Sequence, residues 1–253
     1  MIRAISVCAI AASAASGQNV EITFENLLAP TGTAFTPVFF SLDDGSFNLF
    51  DPGGTASPGL ELVAEVGQTG TLASEFASGS TGFSATGPGG PVLGGGSTSV
   101  SFDVTDSTQT RFLNFATMIV PTNDLFIGTP EAIEVFNADG TFRGPFTIEI
   151  FGAQVWDAGT EVNNADNGAA FLQGIDGAAG AVEGGTIQLF FNDPGASDYL
   201  STLVGRTTAP GFELASTFDA ATPIARITVV PAPGAAVAML GAAGLVGGVR
   251  RRR

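Results

Sequence analysis

Alternation of apolar and polar residues with a period of two is the pattern that most limits what this chain can fold into. It recurs in five segments, which are residues 20–25, 99–104, 146–150, 187–191 and 226–229. Successive side chains of an extended strand point to opposite faces, so each segment is typical of a strand with one buried face. A sixth segment, 115–120, is apolar almost throughout and predicts a central strand.

Turn residues separate these segments, and little of the chain favours helix. Many of the 35 glycines stand in Asp-Gly, Asn-Gly or Pro-Gly pairs, which favour turns. Residues 60–65 predict a helix of one or two turns, and the glycine-rich segment 78–99 predicts a flexible loop. Twenty-one phenylalanines supply large apolar side chains for a core. We therefore expect an all-β fold, an antiparallel β-sandwich.

The first 18 residues have the pattern of a secretory signal peptide. Arg3 supplies the positive start, an apolar run follows at 5–12, and small residues at 12–17 offer cleavage sites. The apolar run is too short to span a bilayer. Cys8 is the one cysteine of the chain and lies in this segment. The exported protein is thus expected to lack disulfides and thiol chemistry.

The last residues form a three-part tail. Val-Pro-Ala-Pro-Gly at 230–234 precedes an apolar run at 235–249 and four arginines at 250–253. As a helix, the run would be about 22 Å long, shorter than the roughly 30 Å hydrocarbon core of a bilayer, so a transient membrane contact is expected. The tail resembles the bacterial PEP-CTERM sorting signal, although Ala232 stands where glutamate is usual. The resemblance implies cleavage by an exosortase and delivery to the cell surface or extracellular matrix.

These end segments divide the chain into a signal peptide (1–18), a β-sandwich domain (19–230) and a sorting tail (231–253). A simple membrane anchor remains the alternative for the tail. Its arginines would stay on the cytoplasmic side of the membrane during export. We therefore expect an exported protein at the cell surface or in the matrix, attached to the membrane before processing.

The charge of the expected domain limits its ligands. The chain has no lysine and no histidine, and the domain carries all 24 acidic residues against four arginines, a formal net charge of −20. Such a surface repels nucleic acids and anionic lipid headgroups, so no nucleic-acid partner is expected. It favours cations instead. Solubility is the simpler explanation of the same charge.

The residue types also exclude most catalytic chemistry. Without histidine the chain has neither the usual general base nor the usual transition-metal ligand, and no Ser-His-Asp triad can form. Paired carboxylates could still hydrolyse glycosides or peptides, but the sequence has no Asp-Thr-Gly or similar signature. We therefore expect a protein that is not an enzyme, with a carboxylate-pair hydrolase as an alternative.

Oxygen ligands are abundant, and hard cations such as calcium prefer them. Asp124 follows the apolar strand at 115–120, and Asp157 and Glu161 lie in a second acidic segment. Residues four apart on an extended strand are about 13 Å apart, whereas calcium lies within about 2.6 Å of its ligands. One ion could thus contact both Asp157 and Glu161 only if the chain turns, which Gly159 permits. Turn capping is the alternative role for these acids.

Most of the expected domain, residues 20–205, resembles the spondin N-terminal domain, including its bacterial versions. The most specific matches are PTNDLFIG at 121–128 and WDAGTE at 156–161, with further matches at 22–26, 35–37, 44–47, 56–61 and 64–65. The resemblance implies a C2-like antiparallel β-sandwich without enzymatic activity. It also implies calcium ligands at Asp124, Asp157 and Glu161. Animal members commonly carry aspartate at the third position, so the longer glutamate alters the geometry.

Together these features predict a secreted, surface-sorted, calcium-binding module that acts in adhesion or matrix assembly. Its expected partners are calcium, an extracellular protein or polysaccharide, and an exosortase-type enzyme at the tail. A carbohydrate-binding module is an alternative, although one tryptophan and one tyrosine give little material for an aromatic platform. A structural matrix protein that binds further copies of itself is another.

Overall fold

The computed structural model describes residues 18–232. The predicted signal peptide, apart from Gln18, and the predicted tail from residue 233 onward lie outside the described residues. The first strand begins at Gln18 and the last ends at Pro231. In the described part, no helix is long and apolar enough to cross a membrane.

Strands dominate the described part of the chain. They are β1 (Gln18–Asn26), β2 (Ala34–Phe35), β3 (Phe39–Asp43), β4 (Gly82–Thr86), β5 (Ser97–Val104), β6 (Phe112–Val120), β7 (Leu125–Gly128), β8 (Ile133–Glu134), β9 (Phe146–Phe151), β10 (Trp156–Asp157), β11 (Gln188–Leu189) and β12 (Pro223–Pro231). The α-helices are α1 (Pro58–Val66), α2 (Gly70–Gly79) and α3 (Ala196–Leu203), and short 3-10 helices cover Gly152–Gln154 and Phe190–Asn192.

The strands form two antiparallel sheets, which confirms the expected all-β sandwich. The four-stranded sheet has the order β5-β1-β12-β9. The eight-stranded sheet has the order β11-β10-β7-β6-β3-β4, and β2 and β8 also pair with β6. The first and last strands of the domain pair from Val20↔Pro231 to Asn26↔Ala225, so the two ends of the domain support each other.

The apolar residues of the alternating segments are buried between the two sheets. On β1, Val20, Ile22 and Phe24 are at most 1% exposed, while the residues between them reach the surface. β6 is buried at every position after Phe112, because α1 packs on the face that does not meet the four-stranded sheet, and Ala170 and Phe171 pack on Met118 and Val120 of the same face. The prediction of a central strand at 115–120 is therefore confirmed.

The predicted helix at 60–65 is confirmed as α1. The Ser57 hydroxyl oxygen accepts the Leu60 N–H at 3.2 Å and caps its start. At its end, Gly67 adopts a left-handed conformation with φ of 68°.

Two local predictions are wrong. The segment 78–99 is not a loop throughout, because β4 within it pairs along the whole of β3 and β5 begins at Ser97. Glycine and serine hide this strand from a composition argument, although small residues suit an edge position. The segment 187–191 contributes only Gln188–Leu189 to a sheet, since Phe190 begins a 3-10 helix with its ring buried in the core.

All four arginines of the described part contact carboxylates. The pairs are Arg111–Glu134, Arg143–Glu134 (3.0 Å), Arg206–Asp166 (2.6 Å), Arg226–Glu149 (2.8 Å) and Arg226–Glu25 (3.5 Å). Such partly exposed pairs add little stability in water. Four acidic residues pair with these four arginines, so most of the 24 carboxylates of the domain have no arginine beside them.

Candidate metal centre

The connection between β6 and β7 carries the first candidate ligand. It starts with a cis peptide bond at Val120–Pro121, and Thr122, Asn123 and Asp124 are all 0% exposed. β7 then pairs with β10 in a register that sets Asp157 opposite Leu125, the residue after Asp124. Strand pairing therefore brings Asp124 and Asp157 together although 33 residues separate them in the sequence.

The two carboxylate oxygens of Asp124 have different surroundings. Oδ2 accepts the N–H of Thr160 at 2.8 Å, the N–H of Glu161 at 3.1 Å and the Thr160 hydroxyl at 3.2 Å. Oδ1 is buried without a hydrogen-bond partner among the described residues. Burial, and then the charge of Asp157, raises the pKa of Asp124 to about 8. The Asp124 carboxylate therefore lacks the partner at Oδ1 that its ionised form requires.

Asp157 is the second buried carboxylate and is 5% exposed. Its Oδ1 accepts the N–H of Gly159 at 2.8 Å, and its Oδ2 accepts from the Asn163 amide at 2.7 Å. Burial raises the pKa of Asp157, and the charge of Asp193 raises it further. The amide oxygen of Asn163 is itself buried and unpartnered in the described part of the chain. Two buried oxygen atoms of this region, Asp124 Oδ1 and Asn163 Oδ1, thus lack a hydrogen-bond partner among the described residues.

The turn after Asp157 depends on Gly159. This residue has φ of 67°, in the left-handed region that favours glycine. A Cβ built here would lie 2.6 Å from the backbone nitrogen of Thr186. The turn that the sequence required for a shared site is therefore present. It brings the N–H groups of Thr160 and Glu161 onto Asp124.

The Glu161 side chain takes a different direction. Its Oε2 accepts from the Asn123 amide at 3.4 Å and packs so closely on Gly180 that a Cβ there would lie 2.0 Å from it. Burial raises the pKa of Glu161 to about 7, and the nearby acids Glu65 and Glu61 raise it as well. The backbone N–H of Glu161 contacts Asp124, but its carboxylate lies against Asn123 and Gly180.

The three predicted ligands therefore do not converge as one set. Asp124 and Asp157 lie together, whereas the carboxylate of Glu161 lies against Asn123 and Gly180. Between residues 18 and 232, no group of three or more acidic, histidine or cysteine side chains is placed so that it could hold a metal ion. The site as it stands is a pair of carboxylates beside unpartnered oxygen atoms.

Sequence reasoning missed Tyr199, which supports the site through its hydrogen bonds with Asn123. The Asn123 side chain donates to the Asn167 carbonyl at 2.8 Å and accepts the N–H of Asn164 at 2.8 Å. The Tyr199 hydroxyl donates to Asn123 Oδ1 at 2.8 Å and accepts the Asn123 N–H at 3.1 Å. Burial, followed by acidic groups that include Asp124, raises the pKa of Tyr199 and keeps this donor protonated. That Tyr199 is the one tyrosine of the chain is the signal that could have drawn attention to it.

Comparison with known protein families gives one match. A profile of the family described as Spondin_N matches residues 26–173, which is more than half of the chain. The matched range includes Asp124, Asp157 and Glu161 and ends before α3 and Tyr199. A search of curated proteins gave no match.

Proposed function

Because the chain belongs to the spondin N-terminal domain family, we propose that it is a calcium-binding module that acts in adhesion or matrix assembly outside the cell. The observation that carries the calcium part of this proposal is the unpartnered Oδ1 of Asp124, buried beside the carboxylate of Asp157. Two buried carboxylates side by side require a proton or a cation to offset their repulsion.

The chemistry of the available atoms fits calcium. Asp124, Asp157 and the Asn163 amide offer oxygen atoms, which are the ligands that calcium prefers. Asp124 and Asp157 would hold the ion, and its two positive charges would match their two negative ones. Glu161 would contribute a side-chain ligand only after turning away from Asn123. We therefore propose Asp124 and Asp157 as the primary ligands.

The proposed ion has a structural role. It would join the β6–β7 connection to β10 and to the turn at Gly159, which lie at one end of the eight-stranded sheet. A ligand that binds only the folded state stabilises it by about 2.7 kcal/mol when its free concentration is 100 times its Kd. Extracellular calcium would thus stiffen the loops that a partner could contact.

Thermal unfolding of the full-length chain tests this proposal. We expect a higher Tm in calcium than in chelator, and a smaller rise in magnesium, which demands a more regular shell of ligands. Asp157→Asn should remove the calcium effect, and Asp43→Asn, in another buried aspartate, should retain it. Equal melting of the wild-type chain in calcium and in chelator would show that the proposed site is wrong.

The aromatic residues do not favour the carbohydrate-binding alternative. Trp156 is 9% exposed and packs its ring on Phe50, and the Tyr199 hydroxyl is engaged by Asn123. A hydrolase needs its carboxyl groups at a substrate cleft, whereas Asp124 and Asp157 are 0% and 5% exposed. We therefore propose no enzymatic activity and no sugar-binding role for this site.

Export and surface sorting are part of the same proposal, and they rest on the two end segments. The apolar run after Arg3 supports secretion, and the tail at 231–253 supports processing by an exosortase-type enzyme. The mass of the native mature protein tests both. Masses that match removal of residues 1–18 and of the tail would support the proposal, and an uncleaved chain would overturn it.

A further inference from the structure

The two lateral edges of the sandwich differ in how they are closed. At one edge, β5 of the four-stranded sheet lies against β4, the last strand of the eight-stranded sheet. At the other edge, β9 pairs with β12 on one side and, within residues 18–232, with no strand on its other side. In an edge strand, alternate residues turn their N–H and C=O groups away from the sheet. The β9 edge is therefore open to a further strand.

An apolar groove follows this open edge. It consists of two adjoining cavities of about 400 and 260 Å³, which share Ile133 and Ile148 as lining residues. On β9, the inward-facing side chains of Phe146, Ile148 and Ile150 form one wall. Phe115 and Trp156 contribute to the opposite wall of the larger cavity. The groove residues named here are Phe115, Ile133, Phe146, Ile148, Ile150 and Trp156, and we call them the β9 groove.

The open edge of β9 is only partly protected: the Gln154 side chain accepts the Phe151 N–H at 2.9 Å, and Glu149 is the one charged residue of the strand. Its sequence, FTIEIF, contains no lysine and no proline, and the Phe146 and Ile148 side chains are only half-buried. A strand added beside β9 would direct every second side chain toward the groove, as β9 does. Main-chain hydrogen bonds would then give affinity and the groove would select the side chains, as in other cases of β-strand addition.

The charge around the groove indicates the partner. Glu131 lies at the rim and is exposed, and Glu149 projects from the outer face of β9. At the other end Arg143 shares Glu134 with Arg111, and Glu149 is paired with Arg226 at 2.8 Å, so within the described residues Glu131 is the acid of this rim that has no arginine beside it. The described domain has a net charge of −20, from 24 acids against four arginines. A second copy of the chain would bring a like charge to this edge, whereas a basic segment would be attracted to it.

We propose that the β9 edge binds an extended segment of another protein, with aliphatic side chains at alternate positions and lysine or arginine between them. The aliphatic side chains occupy the β9 groove, and the basic side chains lie near Glu131 and Glu149. This partner chemistry rests on the adhesive role proposed above, but it is independent of the calcium site.

A synthetic peptide, Thr-Val-Arg-Val-Arg-Val-Thr with blocked ends, is the probe. It is titrated into the full-length chain, with calorimetry and Trp156 emission as readouts, since Trp156 is the one tryptophan and lines the groove. We expect saturable binding of one peptide per chain, with a change in emission. A peptide with N-methyl groups on alternate amides, at the edge that would face β9, should not bind, because it cannot complete the ladder. A peptide with glutamate in place of arginine should bind more weakly.

Two matched variants test the position of the site. Glu131→Lys, at the rim, should weaken binding of the arginine peptide by about threefold, the size expected of one exposed charge pair. Asp103→Lys makes the same charge change on β5, at the closed edge, and should leave the affinity unchanged. Equal effects of the two variants, equal binding of the N-methylated peptide, or no saturable binding would each overturn the proposal.

Two further measurements separate the alternatives. Peptide binding is measured in calcium and in chelator, and we expect it in both. If calcium does not raise Tm but the peptide still binds, only the calcium site is contradicted. Peptide binding that fails while calcium still raises Tm would contradict only the β9 edge. Sedimentation of the chain without peptide should show a monomer, and a dimer that Ile148→Lys dissociates would overturn the proposal in favour of self-association.

Discussion

Two buried aspartates, Asp43 and Asp124, show what distinguishes a structural acid from a candidate ligand. Both are 0% exposed, and burial raises the pKa of both. Asp43 uses both of its oxygens: Oδ1 accepts the Gly45 N–H at 2.6 Å, and Oδ2 accepts from the Asn114 amide at 3.2 Å. Asp124 receives all three of its hydrogen bonds at Oδ2.

Asp124 differs from Asp43 in its unpartnered Oδ1 and in the buried carboxylate of Asp157 beside it. Asp43 is the last residue of β3 and accepts hydrogen bonds from the turn that follows. Its carboxylate therefore needs no further partner. Asp124 has a free buried oxygen and a second carboxylate beside it. A raised pKa alone therefore does not mark a candidate ligand, since the charge of Asp44 also raises the pKa of Asp43; the unpartnered oxygen beside a second buried carboxylate is what makes Asp124 a candidate.

The largest expected effect comes from Asp43→Ala. This change leaves the buried Asn114 amide without its acceptor, which costs about 1–3 kcal/mol, and removes the hydrogen bond that holds the Gly45 N–H in the turn, so we expect a loss of about 3 kcal/mol in the free energy of unfolding. Urea denaturation measures it. The loss should be the same in calcium and in chelator, and a loss that calcium restores would place Asp43 in a metal site.

The next largest effect is the change in folding stability with pH, which should distinguish Asp124 from Asp43. In chelator, the folded-state pKa of Asp124 at about 8 lies above its ordinary value of 3.8, so the folded state binds more protons than the unfolded state between these pH values. Stability should therefore fall as pH rises toward 8, by about 2 kcal/mol between pH 5 and 6.5.

Asp124→Asn removes the main contributor to that fall. We expect a shallower dependence, with the variant more stable than the wild-type chain at pH 8 in chelator. Some slope should remain, because the pKa values of Asp157 and Glu161 are raised in the same direction. Urea denaturation at several pH values measures both chains, and an unchanged slope would contradict the assignment to Asp124.

A smaller effect is expected for Tyr199→Phe. The variant loses the hydroxyl that donates to Asn123 Oδ1 at 2.8 Å, and one such hydrogen bond contributes about 1 kcal/mol. The site it supports should also bind calcium more weakly, which calorimetry would detect. Thr202→Val in the same helix, which also removes a hydroxyl donor, is the control and should leave the calcium affinity unchanged.

The smallest effect is expected for Glu161→Gln. Since its carboxylate faces Asn123 and Gly180 and its backbone N–H contacts Asp124, the variant should keep the calcium-dependent rise in Tm. Asp157→Asn should lose that rise. If Glu161→Gln loses it as well, the glutamate turns toward the ion on binding, and three ligands act together.

Much of the fold could be predicted from the sequence, because the strands that pack between the sheets carry a strict alternation. β1, β5, β9 and β12 were all visible in this way. β4 was not, because glycine and serine give no apolar signal and its position depends on pairing with β3. The end of the alternation at Phe190 was also not predictable, since a buried side chain looks the same in a strand and in a 3-10 helix.

The sequence predicted which residues belong to the candidate site, but it did not predict the direction of every side chain. The sequence indicated Asp124, Asp157 and the turn at Gly159, and strand pairing brings them together. The direction of the Glu161 side chain depends on Gly180, 19 residues further along the chain, whose missing side chain leaves space for the carboxylate. Contacts of this kind depend on loop packing, and no local pattern encodes them.

The pairing of every described arginine with a carboxylate has a consequence for resistance to proteases. Trypsin-like proteases cut after lysine or arginine, and between residues 18 and 232 they could act only at Arg111, Arg143, Arg206 and Arg226. Arg226 lies in the middle of β12, and its side chain is held by Glu149 and Glu25. Cleavage there requires β12 to leave the sheet, which is an opening close to global unfolding. The scarcity of arginine and the lack of lysine thus leave this class of protease few places to cut.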